Sequence, residues 1–437
     1  MIKKFLIILT LFLFSNCFAI SKDELNFEFF NGFNDENLVY YINEAFLNNH
    51  NVKQVVKQVE QYREQIKYSF SKELPSLSVS ANYLGIKIPE LDNFSLRKNA
   101  FILPFAVNYE ADFLLKNRDK TKAAKKTYEA VLKHEQSAYI SLLTDVAVLY
   151  SNILHYDELI NLTEEKLYLK TKLKDHALKK YEFGTIDNTF LNNIEKEIEI
   201  TKNELYGCLK QQEVLLMQMA TLTGQSTDNY KTLKRSKLET FDYTKTIPDT
   251  IKSDVIFSRP DVKEAEFMLQ KAKIDIRIAR KEFLPTFNIM GIWVFNTIAP
   301  GTFFSWESSL AAILAGATQD IFTGGRKIAN LKIQKSKYEE LFENYRQIDL
   351  DALREVNSAL CFIKYDTKID NNNKNKLSFI TKNTINAKNK FLKGTISEPD
   401  LINSKLELIE YKKENAQSKT QRIIDYFTLY KATGGKL

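Results

Sequence analysis

The chain is written twice. Pro75 in Leu74-Pro75-Ser76 returns as Pro285 in Leu284-Pro285-Thr286, and Gly184-Thr185-Ile186 returns as Gly394-Thr395-Ile396. Thr223-Gly224 is answered by Thr433-Gly434 and Val52-Lys53 by Val262-Lys263, all in a single register. A period this long in 437 residues specifies two copies of one large unit, not a solenoid of short ones. It overrides the length prior of about three ordinary domains. The organisation expected is residues 1–19, a first repeat over 20–224, a connecting stretch over 225–250 and a second repeat over 251–437.

Glycine and proline punctuate secondary structure. Neither occurs between Pro104 and Gly184, nor between Gly325 and Gly394. Each gap permits about 68 helical residues, which at about 1.5 Å per residue is on the order of 100 Å of helix. Within the first gap Tyr139, Leu142, Val146, Leu149, Ile153, Tyr156 and Ile160 recur every three or four positions, a coiled-coil period, while Lys, Glu, Asn and Asp fill the other faces. The seam read this way is narrow. A second helix returns from each Gly-Thr, over 188–220 and 399–431, so Gly184 and Gly394 stand at the tips of two helical hairpins. Glycine suits the left-handed position after a helix end. Ser397 and Asp400 have capping-box spacing, with Pro399 in the new first turn.

Before each long helix the period drops to two. Leu77, Val79, Ala81 and Tyr83 alternate with Ser76, Ser78, Ser80 and Asn82; Phe101, Leu103, Phe105, Val107 and Tyr109 alternate with smaller or polar neighbours. In the second half Phe287, Ile289, Trp293 and Phe295 share one face, and across a turn with Pro300-Gly301 Phe304, Trp306, Leu310, Ala312 and Leu314 share another. Strands of about ten residues with one apolar face match the wall of a membrane β-barrel, and Tyr109, Phe304 and Trp306 suit its interfaces. Four strands cannot close, since about eight is the practical minimum. Open edges do not survive in hydrocarbon. The chain must therefore oligomerise, and a dimer, trimer or tetramer would each satisfy the count.

Residues 1–19 read as a secretory signal: Lys3-Lys4, an apolar stretch from Phe5 to Phe14, and a small-residue site at Cys17-Phe18-Ala19. A lipid anchor on Cys17 is the alternative, but Ser15-Asn16 makes a poor lipobox. No later run approaches the roughly 18–20 apolar residues of a membrane helix. The formal charge of +7 is spread among interleaved Lys and Glu, a solvated surface and not a nucleic-acid patch. His50, His134, His155 and His176 have no metal-ligand spacing, and no pattern calls for a cofactor. Cys208 lies about 24 residues beyond one tip and Cys361 about 33 before the other, a height difference of roughly 14 Å. That exceeds what a disulfide spans, so both are expected as free thiols.

The order helix, Leu-Pro, two strands, long helix, Gly-Thr tip, return helix, Thr-Gly, twice over, resembles the TolC-type outer-membrane factor family from about Leu38 to Gly434. Ile321-Phe322-Thr323-Gly324-Gly325-Arg326 is similar to the family's Phe-x-Gly-Gly-Arg turn; Leu114-Leu115-Lys116-Asn117-Arg118 is its degenerate counterpart. The resemblance implies a mostly α chain carrying part of a membrane β-barrel. It implies a homotrimer in the outer membrane of a Gram-negative bacterium, with a twelve-stranded barrel continuous with a periplasmic helical tunnel. It implies the exit duct of a tripartite efflux or type I secretion system, served by a periplasmic adaptor and an inner-membrane transporter. No catalysis is implied, and no activated nucleophile or acid–base pair is evident.

The family closes its periplasmic mouth near the tips, where Asp400 stands at the position of a ring carboxylate. Symmetric copies would bring like charges together, attract cations and raise the carboxylate pKa values; the alternative is that Asp400 only caps a helix. This chain departs from the family at three places: Asn403 replaces a second acid, Phe190 stands opposite Asp400 in the first repeat, and Ile396 occupies a latch-arginine position. A mouth closed with fewer ionic links and more apolar contact is expected, with Asp400, Asn403 and Phe190 at the aperture. Gly184-Thr185 and Gly394-Thr395 are the expected adaptor-docking tips. Gln225 to Pro248 is expected as a thin equatorial connection. The rival reading is a secreted or periplasmic coiled-coil scaffold without a pore.

Overall fold

The computed structural model describes residues 23–91, 94–248, 250–297, 306 and 309–437. The expected signal over 1–19 with Cys17, the turn at Pro300-Gly301, and Phe304 lie outside the described residues. In chain order the elements are α1 (Glu28–Asn31), α2 (Glu36–Asn48), α3 (His50–Ser71), β1 (Ser76–Val79), β2 (Asn82–Leu91) and β3 (Phe94–Ala111). Then come α4 (Lys116–Glu182), α5 (Asn188–Leu222), α6 (Ser253–Phe257), α7 (Pro260–Lys281), β4 (Thr286–Thr297), β5 (Ser309–Thr318), α8 (Arg326–Leu392) and α9 (Glu398–Ala432). Both long helices, α4 and α8, have 67 residues, and both return helices, α5 and α9, have 35. Two compact units form, one from residues 55–135 with 261–350, the other from the segments ending at Gln54, 136–260 and 351–437.

The sheet belongs to the first unit. Its order is β1/β2–β3–β4–β5, antiparallel throughout. β1 and β2 keep one register against β3 and are a single strand interrupted at Ser80-Ala81. The cause is Pro104, opposite the break: the Ser80 N–H still donates to its carbonyl at 3.1 Å, but proline has no N–H to return. β3 has 18 residues, well beyond the ten expected, because its hairpin with β2 runs on past Phe101. Pairing places Leu77, Val79, Tyr83, Phe101, Phe105, Val107, Ile289 and Trp293 on one aromatic face. Leu310, Ala312 and Leu314 pair with Val294, Ile292 and Met290 and so lie on the opposite face. The last strand is therefore apolar on the side where the first three carry Ser, Asn and Glu.

The second unit holds an aromatic core. Phe29, Phe30 and Phe33 from the N-terminal segment stack with Phe427 and Tyr430 of α9, and Phe33 also packs on Phe241. Against this core α4 buries Ile140, Leu143, Ala147, Tyr150 and Leu154 besides the expected Tyr139, Leu142, Val146, Leu149 and Ile153. The apolar face over 139–154 is thus wider than a coiled-coil seam, because more than one neighbour covers it. This stretch also corrects the expectation of no further span-like run. An 18-residue window of α4 reaches a mean hydropathy of 1.3, with 67% of it buried, which is how a core helix reads.

Residues 225–248 include a short 3-10 helix at Thr227–Thr232 and then run irregularly through a turn at 238–240, where Phe241 N donates to Leu238 O at 3.3 Å. They are tied down by side chains that seek backbone carbonyls. Tyr41 donates to Lys234 at 2.7 Å, and Lys419 donates to Leu238 at 2.8 Å and Glu239 at 2.7 Å. Arg422 reaches Asp242 at 2.7 Å and Asp370 of α8 at 2.9 Å.

Candidate functional site

The two hairpin tips are built by the same backbone device. At the first, Thr185 N donates to Lys180 O at 2.9 Å and Gly184 N to Tyr181 O at 2.8 Å. At the second, Thr395 N donates to Lys390 O at 3.0 Å and Gly394 N to Phe391 O at 2.8 Å. This is the Schellman pattern, which needs a left-handed residue, and Gly184 and Gly394 supply it with φ of 68° and 71°. Each threonine hydroxyl also donates to the carbonyl five residues back, at 2.7 Å from Thr185 and 2.9 Å from Thr395. All four tip residues are exposed, and a Cβ added at either glycine would meet nothing within 4 Å.

The return helices start differently. Asp187 caps α5 by accepting from Phe190 N at 3.0 Å. α9 opens with a full capping box: Asp400 Oδ2 accepts from Ser397 N at 3.0 Å and from Ser397 Oγ at 2.6 Å. Those hydrogen bonds hold the Asp400 carboxyl below the usual carboxylate range, with Lys180 adding to the effect. Within one chain Asp400 is therefore an ionised, exposed cap. Phe190 and Asn403 are exposed as well. No hydrogen bond or ring contact joins Phe190 to Asp400 or Asn403 among the described residues.

The sequence reading missed what joins the two hairpins. Leu162 and Leu169 of α4 pack with Ile402 and Ile409 of α9, flanked by Leu173 and Leu406. Above that seam Lys166 bridges Glu204 at 3.0 Å and Glu410 at 2.7 Å, while Lys413 reaches Glu204 at 2.6 Å. Burial works against the Lys166 ammonium, but its bonds to Glu410 and Glu204 outweigh it and raise the pKa. Burial would likewise push the Glu204 carboxyl up, yet Lys413 and Lys166 bring it down. Toward the tip, His176 faces Glu398 at 3.1 Å. The heptad spacing of Leu162 and Leu169 was the available signal; their partners lie more than 200 residues away.

Cys208 and Cys361 are free thiols, and burial pushes the Cys208 thiol up. Among the described residues no group of three or more His, Cys, Asp or Glu could hold a metal ion.

The duplicated hairpins and membrane-type sheet define an outer-membrane channel. The family model for outer membrane efflux proteins matches residues 41–225 and 253–435, and the chain belongs to that family. The probable outer membrane lipoprotein SilC of Salmonella typhimurium is 22% identical over 413 residues, covering 93% of this chain and 87% of that protein. The cation efflux system protein CusC of Escherichia coli K12 is 23% identical over 411 residues, covering 92% and 87%. The outer membrane channel CmeC of Campylobacter jejuni superposes with a TM-score of 0.86 at 22% identity, over 94% of this chain and 88% of that one. The protein is thus an outer-membrane efflux channel with a large periplasmic helical part. The scaffold reading without a pore falls with that finding.

Proposed function

We propose that the chain is the exit duct of a tripartite efflux assembly, acting as a homotrimer beneath which a periplasmic adaptor and an inner-membrane transporter dock. The observation that carries the docking role is the pair of tips: two exposed turns of identical backbone geometry, with open space around each glycine. The oligomer is supported by α8, which leaves Phe342, Leu350, Phe362, Phe379 and Ile385 exposed. A trimer would join three four-stranded ribbons into twelve strands, enough to close a barrel. Residues 20–224 and 251–437 act as the two repeats, joined by an equatorial connection over 225–250. Asp400, Asn403 and Phe190 line the closed aperture. Relatives of this chain include a cation efflux protein, an antibiotic efflux protein and a toluene efflux protein. The duct therefore does not fix the cargo, and the transporter does; efflux is favoured over type I secretion because these relatives are efflux proteins.

Capture of the adaptor by purified trimers tests the docking role. Gly394→Leu forces a side chain into a left-handed backbone position and should reduce capture at least about tenfold, since an order of magnitude corresponds to about 1.4 kcal/mol. Undiminished capture by a trimeric mutant removes the tips from docking. For the aperture, Asp400→Ala should alter cation selectivity or divalent block in single-channel recordings; if neither changes, Asp400 is only a helix cap.

A further inference from the structure

The sheet unit carries a groove of about 780 Å³ at the end of β3 where the chain enters α4. Its floor includes Tyr109, Phe113 and Ile289, and its rim Arg118, Lys122 and Lys125. The floor continues the aromatic face of the sheet: Tyr109 pairs with Ile289, and the Phe113 ring meets Phe287 edge-on at 5.3 Å. In an outer-membrane barrel that face meets hydrocarbon, because the opposite face of β1 and β3 carries Ser76, Ser78, Asn108 and Glu110. α4 begins at this end of the sheet, and the helical part of the family is periplasmic, so the groove is placed at the headgroup level of the inner leaflet.

The charges at the rim are not compensated locally. Two acids border the groove, but both are engaged by their own chain. Glu73 accepts from Thr121 Oγ1 at 2.5 Å. Asp112 accepts from the N–H groups of Lys116 and Arg118 at 2.6 and 2.8 Å. Lys122 is 4.0 Å from Asp119, whose carboxylate is already held by Arg277 at 2.9 Å and Lys281 at 2.7 Å. Neither the Arg118 guanidinium nor the Lys125 ammonium has an ion-pair partner among the described residues. Three exposed cations stand beside an apolar floor that is continuous with a lipid-facing wall. That combination fits an amphiphile with an anionic head: acyl carbon against Tyr109, Phe113 and Ile289, and a phosphodiester among the cations. The second repeat lacks it. At the matching turn of the second repeat Arg326 and Lys327 are drawn to Asp320, at 3.8 and 3.3 Å, and Ile328 takes the place of Arg118 in the helix register.

We propose that this groove binds an anionic phospholipid of the inner leaflet, with Arg118, Lys122 and Lys125 holding its phosphate. The test uses full-length protein purified in detergent, delipidated, and titrated with short-chain phosphatidylglycerol or phosphatidylcholine, with bound lipid counted by native mass spectrometry. The wild type should bind phosphatidylglycerol at least about tenfold more tightly than phosphatidylcholine, since roughly fivefold is expected from each basic side chain. The triple variant R118Q/K122Q/K125Q should lose that preference while eluting as the same oligomer. The matched variant K332Q/K335Q, at the equivalent positions of the other repeat, should keep it, and inorganic phosphate should not displace the lipid. A triple variant that retains the preference, a wild type that shows none, a matched variant that loses it equally, or full displacement by inorganic phosphate each overturns the assignment. Adaptor capture is unaffected by any of these outcomes, so the docking role stands or falls separately.

Discussion

Asp425 is a buried acid that gains stability from being protonated. It lies on α9 with 2% of its surface exposed. Gln421 donates to Oδ1 at 3.0 Å, while Oδ2 is buried without a donor. Burial, and then the half-buried carboxyl of Asp366 on α8, push Asp425 up to about 7. Two carboxyl groups can share a hydrogen bond only when one keeps its proton. A carboxyl displaced from 3.8 to about 7 costs up to about 4 kcal/mol to ionise in the fold. Water reaching the Asp366 side reduces this to roughly 2 kcal/mol. The folded value is raised, so the stabilisation is complete below the unfolded value and is lost as pH rises through the folded one. Asp425→Asn keeps the acceptor for Gln421 and offers Asp366 a permanent donor. It should therefore be more stable than wild type by about 2 kcal/mol at pH 8, with the gap closing toward pH 4. Denaturant titration of the detergent-solubilised protein at both pH values measures it. Equal stability of the two proteins at pH 8, or a gap that widens on acidification, would refute the reasoning.

Four further variants probe single contacts or single backbone positions. Arg422→Met strips the buried Asp370 of its guanidinium partner, leaving only Lys374 at 2.8 Å, and frees Asp242; the loss should be about 3 kcal/mol by the same titration. Burial raises Asp242 but Arg422 more than reverses it, so this loss should shrink as pH falls through the carboxylate range. Leu115 adopts φ of 56° without being glycine, so Leu115→Gly should stabilise the protein by about 1 kcal/mol, read as a raised thermal midpoint, and a lowered midpoint counts against backbone strain. Gly394→Ala should cost about 1 kcal/mol of backbone strain alone. Gly434→Ala adds a collision with Pro260 Cδ at 2.9 Å to its φ of 64° and should destabilise the protein clearly more in the same melt.

What the sequence disclosed was whatever local stereochemistry dictates. Gly184 and Gly394 mark helix ends because almost any other residue is strained there, and Ser397 with Asp400 announces a capping box by spacing alone. Both 67-residue helices follow from what is missing, glycine and proline. Long-range partnership was not legible. Lys166, Glu204, Glu410 and Lys413 read as solvated charges, yet they tie one hairpin to the other, because a charge does not encode which distant helix will answer it. Phe29, Phe30 and Phe33 have helical spacing over a single turn, but nothing in it names Phe427 and Tyr430 as partners, and that packing closes a loop of nearly the whole chain. Leu115 hid a turn that Gly325 displays openly in the other repeat. For Asp400 the cap was readable; a role at an aperture depends on the other copies around it.

The duplication persists down to single hydrogen bonds, and where it stops is informative. Asn49 Nδ2 donates to Leu222 O at 2.9 Å at the end of α5, and in the same register Arg259 Nη1 donates to Ala432 O at 2.8 Å at the end of α9. Gly224 is pressed against Asn48 and Gly434 against Arg259 and Pro260, so both return helices end in a turn with no room for a side chain. These positions repeat because each hairpin must solve one geometric problem, reversing and then locking a helix 35 residues long. Side chains not bound to that problem have diverged: Arg259 also reaches Glu355 at 2.8 Å, Phe190 stands where Asp400 would, and Ile328 where Arg118 would. One backbone thus gives each chain two chemically distinct hairpins. A symmetric oligomer of such chains alternates them around its axis, so an aperture lined by Phe190 and Asp400 would alternate apolar and acidic contacts in place of a uniform ring of charge.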